Sequence, residues 1–212
     1  MEPYERPEFS HATSFLFVLN LAVFAATFLI SSPTHVLSTY SFYPPAFLSG
    51  DFFSIITSGF VHVDIPHLFW NMIFLWIFGR VVEREYNGWW VLGIYFTGLV
   101  LGNLFTMLLF PEISVTGASG AVFGLIGAAI LLRPMKPFLG YEFMPLALIG
   151  VVYMIPSFLN MFNLENQIAD ISHVGGALGG ALIAFARDKE RAEQGLWIVI
   201  AFVALVLGIG LM

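Results

Sequence analysis

Apolar runs, each closed by a charge, a proline or a turn residue, recur along the chain at Ser14 to Ile30, Pro66 to Gly79, Trp89 to Leu109, Gly117 to Leu132, Met144 to Phe158, Ile171 to Ala186 and Leu196 to Met212. Runs of this length and apolarity predict helices in lipid, where each backbone N–H and C=O must be paired within its own segment. Several are shorter than a full crossing usually requires, and Pro145 and Pro156 bracket the fifth. The expected fold is all-α, a polytopic membrane helical bundle with seven spans. Its expected parts are a short N-terminus (residues 1–13), a six-span core (14–186), and a linker with a seventh helix (187–212). No stretch reads as a soluble domain.

Composition agrees with the pattern: 58% of residues are hydrophobic and 10% charged, and mean hydropathy is +0.87. The first residues carry Glu2, Glu5 and Glu8 against Arg6, and no small-residue cleavage site follows the first run, so that run is expected to stay as a span. With no cysteine, disulfides, thiolate metal sites and a cysteine nucleophile are excluded. The net charge of -6 comes without a basic patch, so nucleic acid is not an expected partner.

The eight basic residues fix an expected orientation. Arg6 precedes the first span; Arg80 and Arg84 follow the second; Arg133 and Lys136 follow the fourth; Arg187, Lys189 and Arg191 follow the sixth. Seven spans put all of them on one side, which the positive-inside rule makes cytoplasmic, with the N-terminus inside. Ser31 to Ile65, Phe110 to Thr116 and Leu159 to Asp170 are then external. The first of these is rich in Tyr and Phe and is expected to lie in the bilayer interface as an anchor.

Polar side chains inside spans are costly and become candidates for function. They are His62, His67, Asn71, Asn103, Ser119 and His173. Pro66 suits a first helical turn, so His67 and Asn71 share a face at i and i+4. Ser119 opens a glycine-spaced helix, and His173 precedes a second stripe, Gly175, Gly176, Gly179 and Gly180, able to pack closely on the first. Ser119 lies fourteen residues before Arg133, His173 fourteen before Arg187 and His67 thirteen before Arg80. At 1.5 Å per residue all three reach roughly 21 Å above the inner face, about 9 Å below the outer surface. A neutral histidine at that level could take the Ser119 proton as the hydroxyl attacks a carbonyl, then return it to the leaving amine. Asn71, a second histidine and the Ser119 backbone amide could donate to the oxyanion.

These residues resemble the rhomboid family of intramembrane serine proteases. The resemblance rests on His62-x4-His67-x3-Asn71, on Gly117-Ala118-Ser119-Gly120, and on His173-x2-Gly176-x3-Gly180, and it runs from about Asp51 to Ala186. It implies a Ser119–His173 dyad without a third acid, and oxyanion stabilisation by His67 and Asn71 with His62 shaping that side. Gly117, Phe123 and Gly176 are the expected packing residues. The resemblance further implies cleavage of single-span membrane proteins near the extracytoplasmic face, a fifth span acting as lateral gate, and a loop before His173 capping the cavity. Neither cofactor nor metal is expected. The expected location is a prokaryotic plasma membrane, and the oligomeric state is not readable.

Departures from the family pattern fall at Phe53 and Ser54, where a Trp-Arg pair is common, and at Phe123, where tyrosine is common. Glu83 matches a frequent family glutamate, although a solvated charge paired with Arg80 or Arg84 accounts for it equally well. Asp170 could orient His173, but a solvated carboxylate near Glu165 is the default expectation. Asn103 is expected to bond a neighbouring helix, His11 and His35 to sit at the interface, and Trp89 and Trp90 to belong to an aromatic belt. A non-catalytic rhomboid-like helix binder is the alternative function. A transporter is disfavoured by the absence of a polar path inward, and a zinc protease by the absence of His-Glu-x-x-His.

Overall fold

The computed structural model describes residues 11–30, 32–138, 141–160 and 168–209. The expected features at Arg6, in the capping loop from 161 to 167 and at the end of the seventh run from 210 lie outside them. The elements are α1 (Ala12–Ile30), the short helices α2 (Pro33–Tyr40), α3 (Pro44–Leu48) and α4 (Ser54–Thr57), then a 3-10 turn at Ser58–Phe60. Next come α5 (Ile65–Glu85), α6 (Gly88–Leu109), α7 (Ser119–Leu132), a small antiparallel hairpin of β1 (Pro137–Phe138) and β2 (Tyr141–Pro145), α8 (Leu146–Asn160), α9 (Ile168–Arg187) and α10 (Lys189–Ile209). The protein is a helical membrane bundle. By length and composition α5, α6 and the stretch Lys189–Gly208 can cross a bilayer, and shorter apolar helices accompany them.

The bundle is built around α7. Residues Gly120 to Leu132 are all buried, and a helix apolar on every side belongs in the middle. It lies against α9 on one side and α6 on another, with α5, α8 and α10 completing the surround. Glycine makes that approach possible. A Cβ on Gly176 or Gly180 of α9 would fall onto the carbonyl groups of Gly120 or Gly124, and one on Gly98 of α6 would stand 3.0 Å from the Gly120 oxygen.

Two helices run past the expected boundaries, and in both cases local charge explains it. Helix α5 continues beyond Gly79 through Arg80 and Glu83, which pair at 2.9 Å. Only Asp188 separates α9 from α10, so the expected linker is helical instead. Asp188 accepts from the Arg191 N–H at 3.2 Å, Lys189 pairs with Glu193 at 3.6 Å, and Lys, Glu, Arg, Ala and Gln are strong helix formers. Glu85 joins three elements here, binding Arg133 after α7 and, at 2.7 Å, Arg191 of α10. Beside this cluster burial is the main influence holding the Lys136 ammonium below its ordinary range; Glu85 opposes that shift, and Arg84 and Arg133 add to it.

The segment after α1, expected to lie in the bilayer interface, is folded into short helices. Phe42 is buried and bridges to Val115, whereas Tyr40, Tyr43, Phe52 and Phe53 face outward. Phe53 is 82% exposed, while Ser54 is buried and donates to the Asp51 carbonyl at 2.8 Å, so this segment is held by its own backbone. Asn103 of α6 reaches it too, donating to the Ile55 carbonyl at 2.9 Å and to Ser58 at 3.0 Å.

Candidate active site

Ser119 stands at the junction of a tightly held loop and α7. Thr116 donates to the Val61 carbonyl at 3.0 Å, the Gly117 N–H donates to the Ser58 carbonyl at 2.9 Å, and the Ala118 N–H donates to His62 Nε2 at 3.4 Å. Gly117 turns the chain at a φ of 107°, in the left-handed region that disfavours a side chain, and so precedes the helix rather than opening it. It also leaves room for His67, whose ring carbon Cε1 would lie 2.5 Å from any Cβ there. No side chain among the described residues caps α7, which leaves first-turn N–H groups free at the Ser119 end of the helix.

The histidines of the first motif meet at this junction. His62 and His67 pack edge to face with centroids 5.1 Å apart. Asp64 caps α5 by accepting from the His67 N–H at 2.7 Å, which sets the register that brings His67 over Gly117 and Asn71 one turn deeper. Asn71 is buried, and its Nδ2 donor has no hydrogen-bond partner among the described residues. Buried donors are nearly always satisfied, so this amide stands out as one with room for an acceptor.

His173 arrives from α9 and lies flat on Phe123, with centroids 4.0 Å apart and planes 4° from parallel. Phe123 is four residues after Ser119 on α7, on the same face, with its Cα–Cβ bond tilted toward the helix start. The imidazole therefore covers the face of α7 that carries Ser119. The missing tyrosine hydroxyl leaves this stacking intact. Gly176, one turn beyond His173, is where α9 touches Gly120 backbone to backbone. Phe123 also packs on Tyr153 of α8 at 5.2 Å, and Tyr153 stacks on Phe74 of α5 at 3.8 Å. A groove of about 520 Å³ opens next to this stack, lined by Asp64, Pro66, His67, Trp70, Phe74 and Tyr153.

With the two histidine motifs and the serine motif assembled around one junction, the sequence comparison decides the family: the Rhomboid domain matches residues 49–190. The chain belongs to the rhomboid family. It is 30% identical over 165 residues to the Rhomboid protease GluP of Bacillus subtilis, covering 76% of this chain and 31% of that protein. It is 30% identical over 157 residues to Rhomboid-like protease 1 of Toxoplasma gondii, covering 73% of this chain and 54% of that protein. A rhomboid-like mitochondrial protein of Arabidopsis thaliana is 30% identical over 165 residues, covering 68% and 48%. The chain thus spans about a third to a half of the length of these relatives.

Two side chains differ from their sequence-based expectation, and one was not anticipated. Glu83 is not solvated: it is 1% exposed, accepts from the Thr13 N–H at 3.1 Å and binds Arg80, joining the start of α1 to α5. The Asp170 side chain is only 14% exposed and sits in the first turn of α9, 3.9 Å from His173 Nδ1. Ser157 of α8, buried, is the unanticipated one, with its Oγ 2.8 Å from His173 Nδ1. Its only sequence signal is its position after Pro156 in the fifth run.

Proposed function

We propose that this rhomboid is an intramembrane serine endopeptidase that cuts the transmembrane helices of single-span membrane proteins near the extracytoplasmic face. The observation that carries the reading is the buried Asn71 Nδ2, without a hydrogen-bond partner among the described residues, on the helix whose His67 ring lies against Gly117 just before Ser119. Ser119 Oγ attacks the scissile carbonyl carbon, the carbonyl pair moves onto oxygen, and His173 Nε2 takes the serine proton. The oxyanion accepts from Asn71 Nδ2, His67 and the Ser119 N–H, with His62 buttressing the loop through Ala118. Collapse breaks the C–N bond, and His173 returns its proton to the leaving amine. Water entering from the outer side then hydrolyses the acyl-enzyme. A substrate helix must unwind to present its carbonyl, which small or helix-breaking residues at the cut make easier.

The groove between α5 and α8 is the proposed lateral entry, with α8 as the gate. The arrangement in the membrane is proposed as seven spans, α1 and α5 to α10, with the N-terminus cytoplasmic. Residues 14–186 form the proposed catalytic core and α10 an appended span, in a prokaryotic plasma membrane. Clustering of Arg84, Glu85, Arg133, Lys136 and Arg191 at one end supports that orientation. The test is cleavage of a fluorescent single-span substrate by purified wild type, Ser119→Ala and His173→Ala, with loss expected in both variants. Cleavage that survives both would end the dyad reading. Binding without cleavage across a broad substrate panel would favour the helix-binder alternative instead.

A further inference from the structure

We propose that Ser157 and Asp170 are positioning residues that hold His173 in the tautomer able to act as a base, so that the dyad operates with a side-chain relay behind it. The proposal rests on the dyad reading above and adds two residues that reading does not use.

The hydrogen-bond inventory selects one arrangement. Ser157 Oγ lies 2.8 Å from His173 Nδ1, and Asp170 Oδ1 lies 3.9 Å from the same nitrogen. A hydroxyl has a single proton to donate. An ionised carboxylate only accepts, so with Asp170 3.9 Å from Nδ1 the ring turns an N–H rather than a lone pair toward it, and Ser157 Oγ accepts from His173 Nδ1–H. That leaves the lone pair on Nε2, the nitrogen available to Ser119. The opposite arrangement, with Ser157 donating to Nδ1, aims the ring lone pair at the carboxylate and puts the ring proton on Nε2, where it blocks proton abstraction. The partner of one ring nitrogen thus sets the chemistry of the other.

The carboxylate has a second effect. Asp170 Oδ1 is 3.9 Å from Nδ1, and both side chains are 14% exposed. When His173 takes the Ser119 proton and becomes a cation, the negative charge behind it stabilises the charged ring with little screening from water. The flat contact with Phe123 fixes the plane of the ring, and the Ser157 bond fixes its rotation within that plane. Ser157 belongs to α8 and His173 to α9, so the tautomer depends on α8 standing against α9. An outward displacement of α8 removes the acceptor from Nδ1.

The experiment compares wild type, Ser157→Ala, Ser157→Thr, Asp170→Asn and Ser119→Ala in bicelles, with kcat, KM and Tm measured for each. Ser157→Ala is expected to lower kcat roughly 10- to 100-fold, as loss of orientation does, with KM and Tm little changed. Ser157→Thr, which keeps a hydroxyl, is expected to restore most of that rate. Asp170→Asn keeps the shape but lacks the charge beside Nδ1, and is expected to fall between. Nitrogen NMR on histidine-labelled protein should find the His173 proton on Nδ1 in wild type and a tautomer mixture in Ser157→Ala. Wild-type kcat in Ser157→Ala overturns the proposal, and so does a loss that Thr does not rescue and that tracks Tm. Ser119-independent cleavage would instead overturn the dyad itself.

Discussion

Placing a single methyl group between α7 and α9 tests whether the site depends on backbone-to-backbone contact. In Gly176→Ala the new Cβ would lie 2.8 Å from the Gly120 carbonyl carbon and 3.1 Å from its Cα, and its nearest neighbour is the carbonyl oxygen itself. Carbon atoms in comfortable contact stand about 3.5–4.0 Å apart, so the helices must separate by roughly 1 Å. Both partners are main chain, so no rotamer change can relieve the overlap. Overpacking of this kind costs about 1–3 kcal/mol, and the gain from replacing a helical glycine by alanine offsets only about 0.5–1 kcal/mol. At about 2–4 °C per kcal/mol for a chain of this size, Tm falls by several degrees. Activity falls further, because Gly176 follows His173 by one turn and a misplacement of roughly 1 Å between reacting groups can cost about 100-fold. Gly93→Ala on α6 is the control, since nothing among the described residues lies within 4 Å of its Cβ position. The assay is thermal unfolding with cleavage of a single-span substrate in the same bicelles. A Gly176→Ala protein with unshifted Tm and wild-type rate would refute the argument, as would indistinguishable behaviour of the two variants.

Glu83→Ala removes the acceptor of the Thr13 N–H and one partner of Arg80; it is expected to lower stability by about 1–3 kcal/mol. Glu83→Gln keeps an oxygen for Thr13 and should lose less, an ordering that thermal unfolding can reverse or uphold. Cysteine labelling addresses orientation cleanly because the chain has no cysteine of its own. Glu112→Cys, at an exposed position between α6 and α7, should react with a membrane-impermeant probe from outside and Lys189→Cys should not; the reverse pattern would invert the proposed topology.

Much of the bundle was legible because lipid makes apolar length and charge placement informative without any tertiary knowledge. Counting residues from the charged helix ends put Ser119, His173 and His67 at one level, and the helical period put His67 and Asn71 on one face. Those are properties of single helices with a regular rise, so the chain alone carried them. The glycine spacing likewise announced close packing before any neighbour was known.

What only the tertiary structure decided is which side chain meets which across helices, since that depends on each helix's rotation and lateral position, and neither is encoded in its own period. Glu83 could be read as a surface charge until α1 was found to begin against it, where burial leaves the Thr13 N–H and Arg80 as its partners. Gly117 looked like the first residue of a helix, yet the loop hydrogen bonds to Ser58 and His62 force the turn there. Ser157 carried no chemical signature, and Asp170 had a solvated reading available. Packing of α8 against α9 brought both to the same ring nitrogen of His173. The helical runs and the glycine spacing that lets them approach follow from the chain alone; the partners that buried polar groups require follow from packing, because those partners come from elsewhere in the chain.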